Sequence, residues 1–158
     1  MLHQWLLLLH LAGVFWFVAG HGVSVILALK LRREHRMERI RAYLEVSRAA
    51  SRYTTGPGAL LLGGTGLALA IKDGWFSAPD RDWLWLSIAL FVVAFAVAAV
   101  VVIPSFRHIR RAVAQSGDAP LADPSLRLLL ARNPSLLAGA AAGAAFIGIL
   151  YLMIFRPW

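Results

Sequence analysis

The chain alternates between long apolar stretches and segments rich in arginine. Four of the apolar stretches are long enough to cross a bilayer as helices, which takes about 20 residues. They lie at about residues 4–31, 49–72, 83–104 and 135–155. The pattern therefore predicts an all-α protein, a four-helix bundle integral to the membrane, in which residues 1–158 form a single membrane domain.

Prolines interrupt this pattern at two places. The second predicted helix has an unbroken apolar part of only 14 residues, 58–71, so we expect it to begin near Ala49 and to kink at Gly56-Pro57-Gly58. Pro104 directly follows the apolar run of the third helix, and we expect it to end that helix. Apolar positions in residues 126–130 predict a short interfacial helix before the fourth span.

The charged residues fall mainly in two basic segments, residues 32–52 and 105–134. Together with Lys30 they hold 13 of the 16 Lys and Arg residues. Cytoplasmic loops carry an excess of these residues, so the charges predict both segments in the cytoplasm and both termini on the outer, periplasmic side of a bacterial inner membrane. Five of the six tryptophans support this orientation, because they fall at the predicted outer boundary as an aromatic belt does. They are Trp5, Trp75, Trp83, Trp85 and Trp158.

The composition excludes several classes of protein. Hydrophobic residues make up 59% of the chain and charged residues only 15%, compared with about 25% charged residues in a soluble domain. The net charge of +8 is explained by membrane topology and by contact with anionic lipid, not by nucleic-acid binding. The absence of cysteine excludes iron–sulfur clusters, thiolate ligation of haem and covalent haem attachment.

Two histidines lie inside the first predicted helix. His10 and His21 are 11 residues apart, which places them within about 20° of one helix face and about 16 Å apart along the axis. A titratable side chain in hydrocarbon is costly, so an intramembrane histidine is interpreted first as functional. Imidazole is a good ligand for haem iron, and Gly13 and Gly20 leave space nearby for a porphyrin face. These residues predict a b-type haem bound by His10, by His21 or by both. A haem on His10 is expected to lie between the first helix and the glycine-rich second helix.

The sequence leaves the second iron ligand open. The apolar cores of the other three helices contain no histidine. His108, just past Pro104, is a weaker candidate. The other possibilities are Met153, a second subunit, or a five-coordinate iron without a second ligand. Alternatively, each histidine hydrogen-bonds a helix carbonyl or a water, relays protons, or binds a non-haem metal. Copper is less favoured, because Cu(I) selects clustered Cys and Met, and the three methionines are scattered.

Two further patterns carry alternative interpretations. Gly139-x-x-x-Gly143 in the fourth helix is a close-packing motif, and its spacing does not distinguish a partner helix in the same chain from one in a homodimer or a partner membrane subunit. The arginine clusters, Arg32-Arg33 and Arg110-Arg111 among them, are most simply topology determinants and lipid contacts. The alternative is that they hold haem propionates or an anionic substrate.

Several short motifs match those of known membrane proteins. They are Leu9-His10, Trp16 and Ala19-Gly20 in the first helix, then Met37-Glu38-Arg39, Gly56-Pro57-Gly58 and Trp83-Leu84. In these the chain resembles the HemJ-type protoporphyrinogen oxidases, small four-helix haem-binding membrane proteins of bacteria. The last two motifs resemble more closely an uncharacterised family of predicted integral membrane proteins of the same size. The HemJ resemblance implies a haem-ligand role for His10, with Trp16 and Gly20 in the same site.

The chain also departs from the HemJ pattern. Its third helix starts Trp83-Leu84-Trp85, without the His and Lys of that pattern, and His21 is additional. The leading interpretation is a haem-b-binding inner-membrane protein that acts in electron transfer or oxidation. The alternatives are a cofactor-free membrane scaffold or subunit of a larger complex, and a small proton-coupled transport component.

Overall fold

The computed structural model describes residues 1–77, 81–117 and 119–155, which are almost entirely helical. In chain order the helices are α1 (Leu2–Arg33), α2 (Met37–Ala50), α3 (Gly56–Lys72), α4 (Asp82–Val97), α5 (Ile103–Gln115), α6 (Pro124–Ala131) and α7 (Ser135–Phe155). Four helical stretches in the described part of the chain are long and apolar enough to cross a membrane. The predicted all-α fold with four spans is confirmed, and α6 lies where the short interfacial helix was expected.

Two of the spans extend beyond their predicted ends. A π-helical segment, Ser51–Thr55, joins α2 to α3, and a second one, Ala98–Val102, joins α4 to α5. The helix that contains the second span therefore begins at Met37, well before the predicted start. The helix of the third span runs through Pro104 into α5, so the expectation that this proline ends the helix is wrong.

The π-helical segments explain how the prolines are accommodated. A proline has no N–H, and in an α-helix its ring clashes with the carbonyl four residues earlier. The N–H of Gly56, just before Pro57, donates to the carbonyl of Ser51, five residues earlier. Pro104 has the same arrangement, with the five-residue bond donated by Ile103. We infer that the wider turn relieves the clash and lets both helices continue.

The spans pack as two close pairs. α1 packs along α3, and α4 packs along α7. α7 also contacts α1, where the ring centroids of Phe17 and Phe146 are 5.4 Å apart, and α3 meets α4 where Gly63 faces Phe91. Many large apolar side chains of the spans are exposed on the bundle surface, where lipid would cover them. Examples are Phe15, Leu60, Val100 and Ile147.

The two basic segments meet at one end of the bundle, which we call the basic end. The N–H of Met37 donates to the carbonyl of Pro120 (3.1 Å), and the N–H of Ala122 donates to the carbonyl of His35 (2.9 Å). A cluster of buried apolar side chains fills the space between the end of α1, α2, α5 and α6. Its members are Leu31, Met37, Ile40, Leu44, Phe106, Ile109, Val113, Leu126 and Leu130. Both basic segments therefore lie at the same end of the bundle, as the charge pattern predicts.

The net positive charge of the chain is located at the basic end. Residues 30–52 and 105–134 carry 13 basic and 5 acidic residues, and the rest of the sequence carries three of each.

The backbone N–H groups of Arg36 and His35 donate to the Glu34 carboxylate, and Arg39 lies 3.7 Å from it. These partners hold the pKa of Glu34 below its ordinary value.

Aromatic rings close the opposite end, which we call the aromatic end. The side chain of Trp83 is almost fully buried and packs edge-on against Trp75, with ring centroids 5.5 Å apart. His3, at the start of α1, lies 3.2 Å from the Asp73 carboxylate at the end of α3. The first two spans are therefore also tied together at this end.

Candidate functional site

His10 lies in the contact between α1 and α3. Its side chain is buried, and Nδ1 lies 2.9 Å from the carbonyl oxygen of Leu62 and 3.3 Å from Oγ1 of Thr65. A carbonyl oxygen can only accept a hydrogen bond, so Nδ1 carries the proton and Nε2 keeps its lone pair. Among the described residues, no hydrogen bond uses Nε2 of His10. This nitrogen is therefore the one that can bind a metal.

A glycine on α3 makes room for the imidazole. A Cβ atom at Gly66 would lie 3.0 Å from Cε1 of His10 and 3.3 Å from its Nδ1, tighter than ordinary van der Waals contact. Thr65 is the polar neighbour, and its hydroxyl also donates to the carbonyl of Leu61 at 2.5 Å. The sequence did not identify Leu62, Thr65 and Gly66 as the partners of His10.

His21 has a different neighbour from His10. Its ring stacks on Phe17 with centroids 5.8 Å apart, and it interacts with the backbone of Gly139 on α7. A Cβ atom at Gly143 would lie 3.4 Å from Nε2 of His21. The structure therefore does not bring the two histidines into one site: His10 contacts α3, and His21 contacts the close-packing motif of α7.

Gly13 and Gly20 allow α1 and α3 to approach at backbone distance. A Cβ atom at Gly13 would lie 2.7 Å from the backbone N of Leu62, and one at Gly20 would lie 2.7 Å from the backbone N of Thr55. Gly58 on α3 allows the same close approach to α1, because a Cβ atom at Gly58 would lie 2.6 Å from the backbone N of Phe17. The space cleared by Gly13 is filled by the backbone of α3, and the space cleared by Gly20 by the side chains of Thr54 and Thr55 and the backbone of Thr55. The place expected for a haem between these two spans is therefore occupied by the second span.

The other predicted site residues lie apart from His10. The side chain of Trp16 is about half exposed on the outer surface of α1. His108 is exposed at the basic end, and Met153 packs with the buried cluster around Trp83 at the aromatic end. Within the described ranges, no group of three or more His, Cys, Asp or Glu side chains is arranged to hold a metal ion.

The helical architecture defines the class of the protein, a four-span integral membrane protein. A family model covers residues 4–157. The chain belongs to this family of predicted integral membrane proteins, DUF2269. The match agrees with the resemblance of Gly56-Pro57-Gly58 and Trp83-Leu84 to an uncharacterised family of predicted integral membrane proteins. The assignment to the HemJ-type oxidases is not confirmed. No curated protein and no solved structure shows a significant match to the chain.

Proposed function

We propose that the protein binds b-type haem through His10 and acts in electron transfer or oxidation within the membrane. The observation that supports the proposal is the hydrogen bond from Nδ1 of His10 to the carbonyl of Leu62. Histidines that ligate metals almost always donate their other ring N–H to such an acceptor, which orients the ring and raises the basicity of the ligating nitrogen. His10 therefore fits the role of one axial ligand.

The packing around His10 restricts where a haem could bind. The contact at Gly13 leaves no room for a porphyrin between α1 and α3 as these helices pack here. A haem would thus not fit between α1 and α3 in this packing, and its iron would have His10 as its only protein ligand or would take a second one from another copy or a partner membrane subunit. The haem would supply the redox chemistry, and the chain would supply the His10 ligand and, through Leu62, its orientation.

The proposal is tested by the absorption spectrum of protein purified from haem-replete cells. We expect a Soret band that shifts on reduction, and we expect His10→Ala to abolish or strongly alter it, because loss of an axial ligand changes the coordination directly. His35→Ala is the matched control, since His35 is exposed in a basic segment. His108→Ala tests the weaker ligand candidate.

His21→Ala is the informative companion variant. Loss of the band in both His10→Ala and His21→Ala would indicate two haems or a site that bridges subunits, because about 16 Å along one helix is too far for both residues to reach one iron. A colourless wild-type protein, or a spectrum that His10→Ala leaves unchanged, contradicts the proposal for His10.

The second candidate function is that of a cofactor-free membrane subunit. The observation that favours it is the backbone contact at Gly13 and Gly58, together with the interactions of both intramembrane histidines with backbone groups of neighbouring helices. In this interpretation the histidines stabilise helix packing. The two candidates differ in a direct measurement, because only the first predicts a coloured protein.

For localisation we propose a bacterial inner membrane with the basic end in the cytoplasm and both termini outside. The proposal is supported by the concentration of the net charge at the basic end and by the rule that cytoplasmic loops carry the excess of Lys and Arg. Reporter fusions after Arg52 and after Asp80 should report cytoplasm and exterior respectively. The reverse pattern would contradict the orientation.

A further inference from the structure

A cavity of about 340 Å³ lies at the basic end, between α5, α6 and the start of α7. We call it the α5–α6 cavity. Its polar lining includes Ser105, His108 and Arg132, and its apolar lining includes Pro104, Ile109 and Leu129. Its volume is near the lower end of the range of about 300–1,000 Å³ typical of small-molecule sites. The cavity therefore has the size and the mixed lining of a site for a compact amphipathic group.

The cavity lies where two spans leave the hydrocarbon. Pro104 and Ser105 directly follow an uncharged run of 21 residues, 83–103. On the other wall, Asn133 and Pro134 directly precede the apolar helix α7. A cavity bounded by the ends of two spans lies at the depth of the lipid headgroups, which flank the hydrocarbon core.

The electrostatic surroundings favour an anion. Among the described residues that line the cavity are Arg132 and His108, and none of the lining residues carries a carboxylate. In the described part of the chain, the ion pairs formed by arginines are limited to Arg39 with Glu34. Ser135, next to the lining residues Asn133 and Pro134, has a buried hydroxyl without a hydrogen-bond partner among the described residues.

We propose that the α5–α6 cavity binds the headgroup of an anionic phospholipid. The guanidinium of Arg132 and an imidazole N–H of His108 donate to the phosphodiester oxygens, since arginine matches phosphate geometry and a neutral imidazole always has one N–H to donate. Pro104 and Leu129 contact the glycerol and the first carbons of the acyl chains. A free phosphate ion would leave this apolar wall uncovered, which is why the occupant is a lipid. This inference does not rest on the proposed haem.

The test is lipid binding by the full-length protein after delipidation in detergent. Binding of phosphatidylglycerol and of phosphatidylcholine is measured by native mass spectrometry and by the rise in Tm. We expect phosphatidylglycerol to bind and to raise the Tm more than phosphatidylcholine does. Arg132→Gln should weaken phosphatidylglycerol binding by about tenfold, because it removes a charge-assisted hydrogen bond.

Arg127→Gln is the matched control. It makes the same charge change within α6, five residues before Arg132, at an exposed position outside the cavity lining, and should leave binding unchanged. His108→Phe is a second variant in the cavity. It removes the N–H donor and should also weaken phosphatidylglycerol binding, so the test does not depend on the folding of Arg132→Gln. Equal losses in Arg127→Gln and Arg132→Gln would show diffuse attraction and overturn the proposal. Equal binding of phosphatidylcholine, or displacement of the lipid by excess inorganic phosphate, would also overturn it.

Discussion

The membrane-spanning part and the basic end of this protein are held together in different ways. In the spans, α1 and α3 meet through backbone atoms at Gly13 and Gly58, and many of the large side chains point outward. At the basic end, large side chains point inward, and Met37, Ile40 and Ile109 are each no more than 1% exposed. Water drives apolar side chains together at the basic end, whereas lipid tails are as apolar as leucine and give no such force between helices.

The difference shows that one chain can follow two packing rules. In the spans, close contact depends on removing side chains, so that backbones gain van der Waals contact. At the basic end, stability depends on filling space with side chains, as in a soluble domain. A substitution should therefore have opposite consequences in the two regions: loss of a side chain should be costly at the basic end, and gain of one should be costly between the spans.

The largest effect is expected from truncation of a core side chain at the basic end. Ile40→Ala should lower the free energy of unfolding by about 2–5 kcal/mol, because it removes buried methyl groups and leaves a cavity. Thermal unfolding in detergent measures the change. Val46→Ala on the same helix is the control, since Val46 is about half exposed. Equal effects of the two variants would show that the basic end is not packed as a core.

The next largest effect is expected from a single methyl group between the spans. Gly13→Ala should lower the free energy of unfolding by about 1–3 kcal/mol, because the new Cβ would lie 2.7 Å from the backbone of Leu62, which cannot move without separating the helices. Gly22→Ala on the same helix is the control. Nothing lies within 4 Å of a Cβ at Gly22, so this variant should be neutral or slightly stabilising, since Ala favours helix over Gly. A stabilised Gly13→Ala would contradict the close approach of α1 and α3.

A smaller effect is expected at the close-packing motif of α7. Gly143→Leu should cost about 1 kcal/mol, because the neighbour at 3.4 Å is the His21 imidazole, a side chain that can shift. Ala144→Leu, at an exposed neighbouring position, is the control. Oligomer size is measured alongside Tm. The motif contacts α1 of the same chain, so Gly143→Leu should leave oligomer size unchanged, and dissociation of an oligomer at unchanged Tm would place its partner in a second copy.

The smallest effect is expected from a helix cap at the basic end. Asp123 accepts hydrogen bonds from the backbone N–H of Leu126 (2.7 Å) and the hydroxyl of Ser125 (2.9 Å), which hold the pKa of Asp123 below its ordinary value. In the unfolded chain the pKa of an aspartate is about 3.9, and above that pH the ionised Asp123 cap stabilises the folded protein. This stabilisation is lost as the pH falls through the lower pKa that Asp123 has in the folded protein. Asp123→Asn should flatten the dependence of Tm on pH below about pH 4. Glu45→Gln controls for the loss of one negative charge, and a pH profile unchanged by Asp123→Asn would contradict the prediction.

The number and approximate position of the spans could be predicted from the sequence, because the length of an apolar run determines whether it can cross a bilayer. The path of the helix through Pro104 could not, because it depends on a wide turn formed by the preceding residues, Ala98–Val102. A proline in a sequence signals a lost hydrogen bond and a clash. It does not signal whether the preceding turn relieves them.

The candidate site was predictable only in part, for a similar reason. A histidine in an apolar run signals a buried polar group, and His10 is buried. Its partner is a backbone carbonyl, that of Leu62, and every residue in a sequence has one. Only the register of α1 against α3 selects which carbonyl it meets. Likewise Gly139-x-x-x-Gly143 indicates close packing, but the sequence does not say which helix is the partner. The structure identifies it as α1, because His21 and Val25 lie against the two glycines.

The uneven charge of the two ends has a consequence in an energised membrane. The basic end carries the whole net charge of +8, and the remainder of the sequence is balanced. Moving one elementary charge through a transmembrane voltage changes the free energy by about 2.3 kcal/mol per 100 mV, so reversing the molecule would change it by roughly 18 kcal/mol per 100 mV. Once the basic end lies on the electrically negative side, the voltage itself opposes inversion, and it does so more strongly as the cell becomes better energised.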